Sequence, residues 1–228
     1  YIIYTSGSTG VPKGVVVSHG ALAGHCRAVV DHYGLGEGDA VLQFASPGVD
    51  TALEQILPAL ASGARLVIGG TAVRAPSDFL RLLERERITV ADLPPVYLRE
   101  LLQAWKAGGS DLSGLSLRLL ICGGEALGPD VVALWADSGL KRARLLNAYG
   151  PTEATITALL HDVTPDDRGA PVPIGRPLAG TRIYILDPHG NPVPDGEMGE
   201  LVVTALSDPW APLVRFRTAD LVKFDRSP

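Results

Sequence analysis

The sequence predicts an α/β fold: a parallel sheet flanked by helices, followed by a small antiparallel β subdomain. Apolar strand-like segments alternate with helical segments over roughly the first two-thirds of the chain, a rhythm typical of βαβ units. From about Pro171 the chain is rich in Pro and Gly and carries only short strand signals. We therefore divide it into an α/β subdomain, residues 1–170, and a β-rich subdomain, residues 171–228, within one larger domain.

The elements follow in order along the chain. A strand at 1–4 and a β-branched run at 15–17 precede a helix that begins after the N-cap Ser18 and continues to about Tyr33. Strands are expected at 40–45, 65–68, 88–93, 117–122 and 144–147. Helices are expected at 51–61, at 77–87, from Pro94-Pro95 to about 107, and from Pro129 onward. The tail holds strands at 182–186, 200–204 and 221–224, with a turn at 187–191.

Composition excludes several classes of protein. The chain has 228 residues, of which 46% are apolar and 20% charged, with a net charge of -5. That length supports a real core, and the mild acidity gives no reason to expect nucleic acid or an anionic membrane as partner. No apolar run is long enough to span a bilayer, and no Cys/His cluster has zinc spacing. Cys26 and Cys122 are expected to be reduced core residues of a cytoplasmic protein, and both chain ends have the character of an internal fragment.

A glycine-rich loop near the start is the most informative motif. Residues 4–14 read Tyr-Thr-Ser-Gly-Ser-Thr-Gly-Val-Pro-Lys-Gly. Backbone N–H groups freed by glycines, several hydroxyls and the cation of Lys13 suit a polyphosphate. A Ser/Gly linker is the alternative, disfavoured by the single lysine after Pro12 and the apolar flanks. The loop is not a Walker A sequence, because Gly14 stands where that motif needs Ser or Thr after the lysine.

Three later segments carry polar groups at the ends of predicted strands. The segment 147–153 offers an amide, a flat tyrosine ring, a hydroxyl and the carboxylate of Glu153, a suitable Mg²⁺ ligand. The segment 122–127 has paired glycines that let the backbone lie flat against a ring. The segment 215–220 ends on Asp220, whose carboxylate can accept hydrogen bonds from both ribose hydroxyls. Ordinary strand-to-turn segments, with Asp220 ending a strand, are the alternative interpretation of each.

Together these motifs resemble the adenylate-forming (AMP-binding) superfamily, and most closely the adenylation domains of nonribosomal peptide synthetases. The resemblance implies activation of an amino acid with ATP and Mg²⁺ as aminoacyl-AMP, followed by loading onto the phosphopantetheine thiol of a carrier protein. It also implies that a second catalytic lysine lies in a small C-terminal domain beyond residue 228, so the fragment alone should be a weak catalyst or inactive. One departure is Ala219, where the family usually has Gly.

The resemblance also carries residue roles. The implied catalytic residues are Thr5, Lys13 and Glu153, with Glu153 as the Mg²⁺ ligand. Gly124, Glu125 and Ala126 form one wall of the adenine slot, Tyr149 stacks on the base, and Asn147 contacts its amino group. Arg217 is expected to orient Asp220 or to reach the phosphate. The full nucleotide set is Thr5, Ser6, Gly7, Ser8, Thr9, Gly10, Lys13, Gly124, Glu125, Ala126, Asn147, Tyr149, Gly150, Thr152, Arg217 and Asp220.

The amino-acid pocket is carried over in the same way. It comprises Asp50, Thr51, Glu54, Asp92, Ile121, Gly123, Ala148, Ile156 and Thr157. The family role of Asp50 is to bind the substrate's α-amino group, although this aspartate is also a candidate helix N-cap. Glu54 lies one helical turn later, and Asp92 interrupts an apolar strand. Because a buried carboxylate needs a partner, we expect a cationic amino acid; N–H groups of the helix after Pro95 are the alternative partner of Asp92.

Two other functions remain open at this point. An acyl- or aryl-CoA ligase is favoured by the short segment between Thr204 and Arg215 and opposed by Asp50. A non-catalytic nucleotide-binding or carrier-docking module is opposed by the intact loop and Glu153. His19 and His25, which follow the loop, are interpreted as helix packing or capping residues rather than general bases.

Overall fold

The computed structural model describes residues 1–5, 11–70, 74–205 and 215–224. The strands, in chain order, are β1 (Ile2–Thr5), β2 (Lys13–Val16), β3 (Ala40–Gln43), β4 (Arg65–Ile68), β5 (Val90–Asp92), β6 (Leu119–Gly123), β7 (Arg144–Tyr149), β8 (Leu159–Val163), β9 (Arg176–Pro177), β10 (Thr181–Leu186), β11 (Gly199–Ala205) and β12 (Arg215–Val222). The helices are α1 (His19–Tyr33), α2 (Thr51–Ala61), α3 (Pro76–Arg85), α4 (Pro95–Ala107) and α5 (Pro129–Ala136).

A seven-stranded sheet forms the centre of the fold, in the order β4-β3-β5-β6-β7-β8-β9. The strands from β4 to β7 run parallel, as the alternation of strands and helices predicts, whereas β8 and β9 pair antiparallel. Parallel strands end at one edge of a sheet, so the residues that follow β3, β5, β6 and β7 come together there. This edge is where the predicted motifs lie.

Helices cover both faces of this sheet. The helices α3, α4 and α5 pack on one face, in a cluster that includes Phe79, Leu101 and Trp135. The other face is covered by α1 and α2, with Val29 and Ala59 in its core. Successive residues of β6 alternate between the two clusters, which explains its continuous apolar run. Burial of each large aliphatic side chain contributes about 1.5–3 kcal/mol relative to exposure.

Two smaller antiparallel sheets complete the described part of the chain. The strands β1 and β2 form a hairpin in which Thr5 faces Lys13. The tail forms a three-stranded sheet in the order β10-β11-β12, with a register shift between Glu200 and Val202. The boundary that the sequence suggests at residue 170 falls between β8 and β9, which both belong to the seven-stranded sheet.

Some element boundaries differ from those expected. The helix α3 covers Pro76–Arg85 instead of the expected 77–87. It ends at Arg85 because Glu86 caps it and Arg87 adopts a left-handed φ of 47°. The last strand begins at Arg215 and ends at Val222 instead of covering 221–224, because it pairs along β11 from Thr204 back to Gly199. The Ser18 cap is as predicted, since its side chain accepts the Ala21 N–H at 3.1 Å.

Candidate functional site

A cavity of about 590 Å³ opens where the parallel strands end. Its walls come from the loop after β3, the start of α2 and the carboxyl ends of β5, β6 and β7. This volume is typical of small-molecule sites, which span about 300–1,000 Å³. All but two of the residues assigned to amino-acid binding line it, namely Asp50, Thr51, Asp92, Gly123, Ala148, Ile156 and Thr157.

Asp50 lies at the cavity wall with its carboxylate uncommitted. It occupies the N-cap position of α2, yet its side chain makes no capping hydrogen bond. No ion pair to it occurs among the residues that the structure describes. Asp50 therefore occupies the cap position of α2 without capping the helix through its side chain. Its carboxylate can accept hydrogen bonds from a ligand.

Asp92 is the second carboxylate of the cavity. It ends β5, deep in the protein, with part of its surface open to the cavity. Among the described residues its side-chain donor is Gln55 Nε2, at a long 3.5 Å from Oδ2, and the N–H groups of α4 do not reach it. Burial and the nearby charge of Glu54 raise the Asp92 pKa to about 8. Without a cationic partner, this carboxyl group is mainly protonated at neutral pH.

Glu54 does not face the cavity, which corrects the expectation that it would. Its carboxylate accepts from the Tyr33 hydroxyl at 2.7 Å and the Thr157 hydroxyl at 3.2 Å, and pairs with His25 Nε2 at 2.8 Å. Burial raises the Glu54 pKa, but the hydrogen bonds and the charge of His25 outweigh it and leave the pKa below its usual value. The predicted packing role of His25 is confirmed, because its side chain is buried against Glu54.

Ile121 is the other exception. It is buried in the core beneath α1 and α2 and lines only a small separate void, so it packs the sheet instead of the large cavity. Gln55 is a cavity residue that the sequence analysis missed. Its Oε1 accepts the backbone N–H groups of Phe44 and Ala45, at 2.8 and 2.9 Å, which fixes its amide toward Asp92. The sequence signal for this role is the position of Gln55, directly after the candidate pocket residue Glu54.

The glycine-rich loop can be followed only at its two ends. Ser6, Gly7, Ser8, Thr9 and Gly10 lie outside the described residues. Thr5 ends β1 and Lys13 begins β2, paired across the hairpin, with Lys13 exposed. The strand β2 packs beside the 3₁₀ turn Thr152–Ala154. The strand that begins at Lys13 and the turn that carries Glu153 are therefore neighbours in the fold.

The predicted nucleotide residues that follow β6, end β7 or lie just after it divide into two groups. Gly124, Glu125, Gly150 and Thr152 line the cavity, whereas Ala126, Asn147 and Tyr149 do not. Gly124 has a φ of 80°, which favours glycine. Asn147 is buried, and its Nδ2 donates to the Pro173 carbonyl at 2.8 Å. No donor among the described residues reaches Asn147 Oδ1, which leaves an acceptor suited to an amino group.

The two ribose candidates, Asp220 and Arg217, have different partners. Asp220 is exposed and accepts a hydrogen bond from the Tyr149 hydroxyl, linking the β-rich tail to the end of β7. Arg217 pairs with Glu200 on the neighbouring strand β11, so it does not orient Asp220, which corrects that alternative. The other alternative, a contact between Arg217 and the phosphate, stays a prediction. Glu200 also accepts the Ala219 N–H at 3.3 Å, which draws both groups toward β11.

Glu153 fits a magnesium ligand. It is an exposed carboxylate on the 3₁₀ turn, and no hydrogen bond or ion pair engages it within the described part of the chain. Mg²⁺ commonly takes only one or two protein carboxylates beside substrate phosphates. Among the residues that the structure covers there is no group of three or more His, Cys, Asp or Glu side chains that could hold a metal ion.

Comparison with known proteins identifies relatives of the chain. The family model of the AMP-binding enzymes matches residues 1–206. Bacitracin synthase 3 of Bacillus licheniformis is 39% identical over 209 residues, which is 91% of this chain and 3% of that protein. Novobiocin biosynthesis protein H of Streptomyces niveus is 40% identical over 205 residues, which is 90% of this chain and 32% of that protein.

A solved structure gives the same picture. PA1221, described as a nonribosomal peptide synthetase protein containing adenylation and PCP domains, superposes with a TM-score of 0.83 at 25% identity. The match covers 99% of this chain and 49% of that one. The chain thus spans about a third or less of the curated relatives it matches. No helix in the described ranges has the length and apolar character needed to cross a membrane.

Proposed function

The chain belongs to the AMP-binding enzyme family, and we propose that it is the part of an adenylation domain that activates a cationic amino acid. The reaction joins the substrate carboxylate to the α-phosphorus of ATP and expels pyrophosphate, which gives aminoacyl-AMP. We further propose that the aminoacyl group then passes to the phosphopantetheine thiol of a carrier protein, in keeping with the carrier domain named in PA1221.

One observation carries the choice of substrate. Two carboxylates, Asp50 and Asp92, line the same cavity, and neither has a cationic partner among the described residues. An amino acid with a basic side chain brings two cations, one for each carboxylate. We assign the α-ammonium group to Asp50 and the side-chain cation to Asp92, whose deeper position suits the far end of the substrate.

The nucleotide side of the proposal uses the same sheet edge. We place the purine beside the backbone of Gly124 and Glu125 and the ribose at Asp220, with Asn147 Oδ1 as acceptor for the base. Thr5, Lys13 and the loop between them are assigned to the phosphates, Thr152 adds a hydroxyl, and Glu153 is the residue that would hold Mg²⁺. Bound Mg²⁺ offsets phosphate charge.

No side-chain nucleophile is needed for this chemistry. The substrate's own carboxylate attacks, so the protein's task is to hold the carboxylate and the α-phosphate in line and to neutralise developing charge. Lys13 supplies a mobile cation for that purpose. Asp50 and Asp92 fix the amino acid at two points, which orients its carboxylate toward the nucleotide end of the cavity.

The decisive experiment is amino-acid-dependent ATP–pyrophosphate exchange on the longer protein, comparing the wild type with Asp92→Asn. We expect Asp92→Asn to reduce kcat/KM for lysine or ornithine by about tenfold to a hundredfold, as for a lost charge-assisted contact, with norleucine much less affected. Asp31→Asn removes an exposed charge on α1 and serves as the matched control. An unchanged preference for basic over neutral amino acids in Asp92→Asn would refute the assignment.

A further inference from the structure

A buried polar cluster lies directly behind the cavity wall. Glu54, on α2, is 5% exposed and is surrounded by His25 and Tyr33 from α1 and Thr157 from the segment after β7. The three contacts measure 2.8, 2.7 and 3.2 Å. Thr157 belongs both to this cluster and to the cavity wall, so it joins the two.

The cluster engages both carboxylate oxygens of Glu54, which does not line the large cavity. An ionised carboxylate only accepts hydrogen bonds, so Tyr33, Thr157 and His25 must all donate to it. Tyr33 and Thr157 share Oε1, and His25 occupies Oε2. The carboxylate is thus compensated from three directions by the protein itself, as a buried charge requires.

The segment that Glu54 contacts is conformationally strained. Thr155 and Ile156 have φ values of 68° and 66°, in the left-handed region that β-branched residues rarely adopt. The Ile156 carbonyl also packs against Gly150. A Cβ added at position 150 would lie only 1.8 Å from the Ile156 carbonyl oxygen. Such a backbone persists only when its surroundings hold it, and the Thr157 hydroxyl provides one such attachment.

We propose that Glu54 is a positioning residue, which through Thr157 holds the strained Thr155–Ile156 turn in place as a wall of the amino-acid cavity. This inference rests on the proposed function for the identity of the cavity's ligand. His25 and Tyr33 hold Glu54 in turn, so the helices α1 and α2 together set the position of the wall. Glu54 does not itself touch the substrate.

This role and a substrate-binding role predict different kinetics. A displaced wall weakens every amino acid to a similar extent, whereas a lost contact to a side-chain cation weakens basic amino acids alone. Lysine and norleucine form a suitable pair, because norleucine has the same carbon chain without the amine. The ratio of their kcat/KM values therefore separates a positioning residue from a specificity contact.

The test compares Glu54→Gln and Thr157→Val with the wild-type full-length protein, in ATP–pyrophosphate exchange with both amino acids. For Thr157→Val, which leaves the Glu54 charge near Asp92 in place, we expect kcat/KM to fall by about tenfold for lysine and norleucine alike, since the buried hydrogen bond that holds the wall is lost for both substrates. Glu54→Gln also removes the charge that raises the Asp92 pKa, so its lysine-to-norleucine ratio does not decide the role. The double variant should lose no more than the more affected single variant, because the two changes interrupt one connection. Glu84→Gln, an exposed glutamate on α3, is the control.

A second readout does not depend on activity. Hydrogen exchange of the 152–158 segment, which includes the Ala158 N–H bonded to Tyr149 O, should accelerate about tenfold in both variants. Thr157→Ser keeps the hydroxyl and should recover most of the protection lost in Thr157→Val. Selective loss of lysine activity in Thr157→Val, or unchanged protection in both variants, would overturn the inference. Should the wild type activate no amino acid, the proposed function fails, while the hydrogen-exchange arm still decides the positioning role.

Discussion

At the scale of single residues, Asp92 is a group whose ionisation makes stability depend on pH. Its pKa is raised to about 8 by burial and by Glu54. Between the ordinary pKa of an aspartate, about 4, and this value, the folded protein holds a proton that the unfolded chain has released. The folded state then binds more protons than the unfolded state, so the free energy of unfolding falls as pH rises through this window.

The first prediction follows from that sign. Relative to Asp92→Asn, the wild type should lose up to about 1.4 kcal/mol of stability per pH unit between pH 5 and 8. Denaturant unfolding of both proteins at several pH values, without amino acid, measures the difference. Parallel pH profiles for the two proteins would contradict the protonated state of Asp92.

Ala219 gives a second prediction at this scale. It has a φ of 63°, a left-handed conformation that costs a residue with a Cβ about 1–2 kcal/mol. Replacement by glycine relieves that strain. It also makes the unfolded chain more flexible, which lowers stability by about 0.5–1 kcal/mol. We expect Ala219→Gly to stabilise the protein by about 0.5–1 kcal/mol, seen as a higher midpoint of thermal unfolding. A lower midpoint would show that the strain is absent.

At the scale of elements, the turn after β7 shapes the cavity. Gly150 approaches the Ile156 carbonyl so closely that a Cβ would lie 1.8 Å from its oxygen and 2.7 Å from the Ala158 nitrogen. The turn that presents Ile156 and Thr157 therefore depends on the absence of a side chain at position 150. This requirement is geometric and holds whatever ligand the cavity takes.

A third prediction tests that requirement. Gly150→Ala should destabilise the protein by about 2 kcal/mol or more, because backbone atoms must shift to admit the methyl group. Gly114→Ala is the matched control, since its added Cβ meets no atom within 4 Å. Chemical denaturation of the two variants measures the difference. Equal stabilities would mean that the turn accommodates a side chain.

The parallel strands β3 and β6 could be predicted from sequence because their residues are mostly buried on both faces and give nearly continuous apolar runs. The strand β8 carries the polar His161 and Asp162, and β9 has only two residues, so neither shows such a pattern. The helix-period rule placed Glu54 beside Asp50, but it could not show that His25 and Tyr33 supply donors on the other side. The pairing of β8 and β9 and the surroundings of Glu54 both depend on tertiary contacts, which a local sequence pattern does not contain.

At the scale of the whole molecule, one sheet edge serves the proposed amino-acid and nucleotide sites. The cavity extends from Asp50 and Asp92 to Gly124, Glu125 and Thr152, so residues of both proposed sites line a single concave surface. The β-rich tail reaches this edge through the Asp220–Tyr149 hydrogen bond. Because the chain spans only part of its relatives, the activity is to be measured on the longer protein.

The most direct test of this account is ATP–pyrophosphate exchange on that longer protein with basic amino acids, neutral amino acids, and aromatic and fatty acids. We expect exchange with lysine, ornithine or arginine-like amino acids to lie well above exchange with the neutral amino acids, and we expect none with the other acids. Exchange confined to aromatic or fatty acids would contradict that expectation and would leave Asp50 as no more than the start of α2.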